Sequence, residues 1–433
     1  MVAKCRIAVV SPFLDRRHGT ERCLVEQVER LAREYGYEIH LYSQRVEDIG
    51  DLEEFDLGDE SPKRENGNKG AAEPPTPVAG RILWHKIADV PGPHLVKYLW
   101  WLLANQFRRR RDQQFHGFRY DSVFSPGINC WDADAIMVHI IFDEFYELVR
   151  DEIRLRNLPL RAWPRAIHRH LYYRLISALE RRIYPNPHVT LAAVSGLTAR
   201  EVERRFGRKD VRVIPNAVDL EVFNPMARQN RRAEVRLYLR FEEKDFVLLL
   251  VGNDWKKKGL IYLFGAVARC PDLPLKVLVV GRDDRTLYLA DIGRMGLDRS
   301  VRFVESSSDV VQFYAAADAY IGPSLIDAFA LPPVEAMACG LPVVTSRNNG
   351  GSEIISNGVD GFVLEEPTDE DALAHLIQKL YNDADLCRRL GEAASRTVQQ
   401  YTWARNVEQM KAVLEHVAAQ KQQDLVQGGK EAR

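Results

Sequence analysis

The stretch from Gly322 to Gly340, GPSLIDAFALPPVEAMACG, leaves a chain of this kind few folds to choose from. Ala319, Tyr320 and Ile321 read as the end of a buried strand, which Gly322-Pro323-Ser324 breaks. A short acidic and aromatic loop follows, and a helix is expected to start at Pro332-Pro333. Proline suits a first helical turn, where its missing N–H is not needed and its φ is preset. The backbone N–H groups of Ala328, Phe329, Ala330 and Leu331 are therefore expected free at the mouth of that helix. Such a mouth carries roughly half a positive charge and suits a phosphate or another anion. Asp327 and Glu335 bracket it. Acids beside an anion hole are badly placed to hold phosphate, but well placed to accept hydrogen bonds from hydroxyls attached to it. A nucleotide sugar offers both groups. For two carboxylates alone, a helix start with a solvated acid on either side is the plainer reading.

The surrounding residues favour the sharper one. An acid, seven residues and a glutamate, on a loop reading F-x-L-P-x-x-E-A-M-A-x-G-x-P-V-V, resemble the E-x7-E signature of retaining GT-B glycosyltransferases of family 4 type (glycosyl transferases group 1). Asp327 stands where that family usually has Glu and reaches about one methylene less far. The resemblance implies an α/β fold of the GT-B kind, two Rossmann-like domains with doubly wound parallel sheets facing across a cleft. The second domain would hold most of the nucleotide sugar.

The chain has 433 residues, enough to bury two cores. Its net charge of −1 gives no bulk attraction to nucleic acid, which is not an expected partner. Six scattered cysteines, with no C-x-x-C pair and no histidine cluster at zinc spacing, point to reduced thiols in a cytoplasmic protein. The first eleven residues are too short and too charged for a secretory leader, and the apolar run from Tyr98 to Ala104 is far short of a membrane span.

Residues 1–215 read as the first domain. Cys5 to Val10 is a buried strand, followed by a loop with Gly19 and Thr20, a helix from Glu21 to Tyr35 with Leu24, Val25, Val28 and Leu31 on one face, and a strand from Ile39. This is the first half of a doubly wound domain. In the resembled family the loop faces the donor diphosphate, so Gly19 and Thr20 are expected there. Residues 48–80, rich in Gly, Pro and charge, read as a surface loop. A helix from His94 to Arg111 is expected to turn Leu95, Tyr98, Leu99, Leu102 and Leu103 inward, with Arg108 to Arg111 at its C-terminus, where cations favour the dipole. His139 falls inside the apolar strand from Ala135 to Ile141. By spacing it is a core histidine; by resemblance it lies beside the transferred sugar. The basic stretch 150–182 is either the solvated face of core helices or a patch for anionic lipid or an anionic acceptor.

Val211 to Asp219, VRVIPNAVD, is similar to the family's interdomain segment V-x-V-I-P-N-G-V-D. It sets residues 216–402 as the nucleotide-sugar-binding domain, with a helix over 403–420 crossing back and 421–433 as a frayed tail. Phe246 to Val251 is apolar throughout, as a central parallel strand requires. The turn from Gly252 to Gly259 then offers Lys256, Lys257 and Lys258, either a solvated loop or cations for a leaving diphosphate. The resemblance matches Lys258-Gly259 to the family's K-G element. Asn253 stands where many members carry Arg, so Lys257 is expected as the second cation, without arginine's bidentate fork. Arg282 lies at the next strand's turn, where the family contacts the nucleotide. Gly350 and Gly351 allow close approach to a ligand, with Glu353 as a nearby acid.

By this resemblance the donor is held by Gly19, Thr20, Lys257, Lys258, Arg282, Asp327, Ala328, Phe329, Ala330, Leu331, Glu335 and Glu353, with Lys258, Asp327 and His139 in catalytic roles. Asp-x-Asp strings start at Asp132, Asp369 and Asp383, none beside the donor motifs, so no metal and no other cofactor is expected. The implied reaction is retaining transfer of a hexose, from a UDP-sugar by likeness to lipopolysaccharide-core glucosyltransferases or from GDP-mannose, to a glycan, lipid-linked or small-molecule acceptor. Peripheral membrane contact would run through 150–182. Three rivals remain: a sugar-nucleotide epimerase, a catalytically silent nucleotide-sugar-binding module, and a glycoside hydrolase using Asp327 and Glu335 as acid and nucleophile.

Overall fold

Strands that are apolar at every position need cover on both faces, which a parallel sheet between helical layers provides. The computed structural model describes residues 5–16, 19–55, 78–151, 153–307 and 309–431, without the side chains of residues 148, 157 and 425–431. Contacts divide the chain into two units, Met1–Val194 with Thr198–Ile214 and Asn406–Arg433, and Ser195–Leu197 with Pro215–Arg405.

The first unit contains β1 (Arg6–Val10), β2 (Phe13–Leu14), β3 (Glu38–Ser43), β4 (Arg45–Val46), β5 (Leu52–Glu54), β6 (Ile82–Lys86), β7 (Ser122–Ser125), β8 (Ala135–Val138), β9 (Thr190–Ala193) and β10 (Arg212–Val213). β2 and β4 pair with each other, and the rest form one parallel sheet in the order β10-β9-β8-β7-β1-β3-β6-β5. Its helices are α1 (Gly19–Arg33), α2 (His94–His116), α3 (Phe142–Val149), α4 (Trp163–Ile183) and α5 (Gly196–Phe206). Ala8, Val10, Trp101, Ile136 and Leu191 belong to one apolar core.

The second unit contains β11 (Phe246–Val251), β12 (Leu275–Val280), β13 (Val301–Val304), β14 (Ala319–Gly322), β15 (Val343–Ser346) and β16 (Phe362–Leu364). They form a parallel sheet in the order β13-β12-β11-β14-β15-β16. Its helices are α6 (Pro225–Tyr238), α7 (Leu260–Ala268), α8 (Leu289–Arg294), α9 (Val311–Ala316), α10 (Leu331–Ala338), α11 (Glu370–Asn382) and α12 (Ala384–Thr397), and α13 (Trp403–Glu431) ends the chain. The chain winds outward from β11 through β12 to β13, then returns to the other side of β11 as β14. The crevice between the carboxyl ends of β11 and β14 is thus the topological switch point, where open α/β sheets bind ligands. In the first unit the reversal lies between β1 and β7.

Several expectations need correction. α1 begins at Gly19, so Gly19 and Thr20 form its first turn instead of a preceding loop. β8 stops at Val138, and His139 lies just past it. α2 runs on to His116, which puts Arg108 to Arg111 inside the helix. There Arg109 is buried and pairs with Asp132 at 2.6 Å, while Arg108 meets Asp112 at 3.2 Å. Leu99 and Leu103, expected inward, are exposed. β5 interrupts the expected 48–80 loop, most of which (56–77) lies outside the described residues. α13 stays helical to Glu431, past the point where fraying is expected. The six cysteines are unpaired. Among the described residues no helix is long and apolar enough to cross a membrane.

Candidate active site

The loops that leave β11 and β14 touch each other through their backbones. After β11 the chain turns tightly, with the Lys258 N–H donating to Asp254 O at 3.0 Å and the Lys257 N–H to Asp254 Oδ1 at 3.1 Å. Gly259, at φ 76°, ends the turn. A Cβ there would lie 2.1 Å from Pro323 O, so only glycine lets the two loops approach this closely. The Leu325 N–H completes the contact by donating to Lys257 O at 2.7 Å.

Across this contact Lys258 Nζ lies 2.5 Å from Asp327 Oδ2. The lysine stem lies over Gly252, where an added Cβ would come within 3.0 Å of Lys258 Cε. Asp327 Oδ1 accepts the Phe329 N–H at 3.2 Å. The Asp327 main chain is fixed as well, its N–H donating to Asn348 O at 2.9 Å and its carbonyl accepting the Gly350 N–H at 2.8 Å.

Asn349, which the sequence reading passed over, organises the helix mouth. Fully buried, it accepts the N–H groups of Ala330 and Gly351 on Oδ1, each at 3.0 Å, and donates from Nδ2 to Thr345 Oγ1 at 3.1 Å. Two of the four amides expected free, those of Phe329 and Ala330, are therefore engaged inside the protein. A local acid and an asparagine nineteen residues away outcompete solvent for them. Among the described residues the amides of Ala328 and Leu331 have no acceptor. They lie on the loop that carries Asp327, the partner of the Lys258 ammonium, and together these groups can hold an anion.

The other predicted donor residues of this unit are more dispersed. Glu335 is only 4 % exposed and accepts the Tyr314 hydroxyl at 2.6 Å. Burial beside that carboxylate pushes the Tyr314 hydroxyl well above its ordinary pKa, so it stays a donor. Tyr314 is a second residue that the sequence did not single out; a tyrosine in a buried helix carries no signal by itself. Lys257 pairs with Asp254 at 2.8 Å. Arg282 is exposed, and its N–H donates to Asn253 Oδ1 at 3.0 Å. Asn253 thus ties the two neighbouring turns together. Glu353 is exposed on the turn Gly350–Ile354 that Asn349 caps.

Gly19, Thr20 and His139 belong to the first unit. The His139 ring is buried and has no hydrogen-bond partner among the described residues. Burial pulls its pKa down from 6.5 to about 4, so the ring is neutral near pH 7. The Asp-x-Asp acids are used structurally. Asp369 and Asp383 cap α11 and α12 by accepting the N–H groups of Ala372 at 2.9 Å and Leu386 at 2.7 Å, and Asp132 holds Arg109.

The family described as glycosyl transferases group 1 matches residues 232–397, which include every site residue of the second unit. Residues 232–397 are therefore similar to a glycosyl transferases group 1 domain. D-inositol 3-phosphate glycosyltransferase of Corynebacterium jeikeium (strain K411) is 31% identical over 225 residues, 48% of this chain and 52% of that protein. The chain spans between about half and two thirds of the length of the first three curated relatives it matches. Among solved structures, WaaG, a glycosyltransferase involved in lipopolysaccharide biosynthesis, matches with a TM-score of 0.69 and 18% identity over 94% of this chain and 99% of that one. Anabaena HepE, solved in complex with UDP and glucose, gives 0.63 and 19% over 95% and 99%. At these identities the likeness concerns the fold alone, and that fold is GT-B.

Proposed function

We propose that the chain is a retaining, metal-independent glycosyltransferase that moves a hexose from a nucleotide sugar, UDP-linked by preference, to a glycan, lipid-linked or small-molecule acceptor. One observation carries this reading: Lys258, on the turn after β11, meets Asp327, on the loop that leads into α10, at the switch point. The diphosphate would sit against Lys258 and the Ala328 and Leu331 amides, and Asp327 would accept a hydroxyl of the transferred sugar. As the bond from the sugar's anomeric carbon to the diphosphate breaks, negative charge grows on the departing oxygen, and a fixed ammonium stabilises it more in a shielded site than in water. The acceptor hydroxyl attacks from the same face and gives its proton to the leaving phosphate, so no separate base is required. Glu335, held by Tyr314, would accept the ribose hydroxyls. The capping and pairing roles of the Asp-x-Asp acids support a mechanism without a metal.

Asp327 is paired with Lys258 and Glu335 accepts the Tyr314 hydroxyl, an arrangement that favours two ionised acceptors over the acid and nucleophile of a hydrolase. A thermal-shift screen with UDP, GDP, ADP and their sugars tests the donor: saturation about a hundredfold above Kd stabilises the folded chain by about 2.7 kcal/mol. UDP-sugars are expected to give the largest rise, followed by acceptor-dependent release of UDP. Sugar conversion without an acceptor would assign an epimerase, and transfer without a nucleotide donor a hydrolase. Binding without turnover on any donor would mean a silent module.

A further inference from the structure

The Asn349 side chain ties together three segments: the carboxyl ends of β14 and β15 and the loop that enters α10. Thr345 Oγ1, fully buried near the end of β15, donates to Gly322 O at 3.1 Å and accepts Asn349 Nδ2 at 3.1 Å. Asn349 Oδ1 takes the N–H groups of Ala330 and Gly351. These partners fix which end of the amide is oxygen, because Oδ1 faces two donors and Thr345 has already given its one proton to Gly322. The glycines that follow seat the turn against the helix mouth. A Cβ on Gly350 would lie 2.0 Å from Ala328 O, and one on Gly351 would lie 3.3 Å from Asn349 Oδ1.

One buried side chain at this point accepts two hydrogen bonds, donates a third and carries no charge. An alanine would leave the Ala330 and Gly351 amides open, to join those of Ala328 and Leu331 as donors to an anion. An ionised aspartate would accept both N–H groups, but it would turn its second oxygen on the Thr345 lone pairs and put a negative charge beside the mouth. We propose that Asn349 is a positioning residue for the donor diphosphate. It withholds two amides, so that the anion meets those of Ala328 and Leu331 together with Lys258, and its neutrality keeps the mouth positive. Asn349 acts through these groups and touches no substrate itself. The inference rests on the transferase reading of the mouth and adds to it the residue that sets where along the mouth the diphosphate lies.

The test compares Asn349→Asp and Asn349→Ala with the parent, all as the full chain, by calorimetric titration with UDP-glucose and with GDP-mannose as a second probe. Both variants lose the bond to Thr345, and only the first adds a charge. Asn349→Asp should bind about tenfold or more weakly. Asn349→Ala should stay within about threefold of the parent, because the amides it frees are themselves donors to phosphate. The phosphorus resonances of the diphosphate bound to Asn349→Ala should nevertheless differ from those in the parent complex, since the anion now meets other N–H groups. That measurement carries the test alone if the aspartate variant does not fold. A merely structural brace would weaken both variants alike and leave the resonances of the bound diphosphate in place. Parental affinity in Asn349→Asp, or phosphorus resonances in Asn349→Ala that coincide with the parent's, would overturn this proposal alone. A parent chain that binds neither probe would overturn the transferase reading and this proposal with it.

Discussion

The ammonium of Lys258 lies 2.5 Å from Asp327 Oδ2, in an ion pair that joins the turn after β11 to the loop after β14. It accounts for the shorter acid at position 327. An aspartate reaches the lysine from a backbone already fixed on both sides of Asn349, and the ammonium is thereby held at the switch point before any anion arrives. Lys258→Ala should cut kcat by about tenfold or more through lost charge stabilisation, with little change in melting temperature. Steady-state kinetics with a UDP-sugar check this, and unchanged turnover would remove Lys258 from the site.

Gly259 and Gly358 separate backbone strain from steric clash. Both have positive φ, 76° and 81°, but a Cβ at 259 would strike Pro323 O at 2.1 Å, whereas nothing lies within 4 Å of one at 358. Gly358→Ala should cost about 1–2 kcal/mol. Gly259→Ala should cost about 2–3 kcal/mol more, because two loops must part. Urea unfolding of both variants tests the difference; equal costs would mean that the loops do not touch.

Tyr314→Phe removes the hydroxyl that donates to the buried Glu335. A carboxylate that loses a donor while it stays buried costs about 1–3 kcal/mol. If Glu335 reads the ribose, KM for the donor should rise more than kcat falls. A variant as stable as the parent would show that Glu335 finds another donor.

How much of this was legible depended on where each interaction partner lies along the chain. β11 coincides with the expected run to the residue, because a strand covered on both faces is continuously apolar. Asp327, Lys258 and Glu335 stood out because their spacing is local. α6 went unread, since its sequence is polar and its arginines repeat every four residues. Arg228, Arg232 and Arg236 reach the carbonyls of Ala315 to Ala317 at the end of α9, eighty or more positions away. Nothing near Ala330 announces that Asn349 will take its N–H. On α2, apolar residues surround the first half of the helix, so periodicity could not tell the buried face from the exposed one.

His139 gives the protein a stability gradient with pH. Its pKa is about 4 in the folded chain against an ordinary 6.5, so unfolding takes up a proton throughout that interval and acid favours the unfolded chain. The group's contribution is intact above pH 6.5 and is lost as pH falls through 4, by about 3 kcal/mol in all. The difference between urea-unfolding profiles of the parent and His139→Gln should show that loss across this window. Parallel profiles would mean that the ring is not buried.

The most direct test of the account is a crystal structure of the chain soaked with a UDP-sugar. The predicted density puts the diphosphate against Lys258 Nζ and the N–H groups of Ala328 and Leu331, with a sugar hydroxyl on Asp327. A diphosphate bound elsewhere, with the Lys258–Asp327 pair undisturbed, would contradict it.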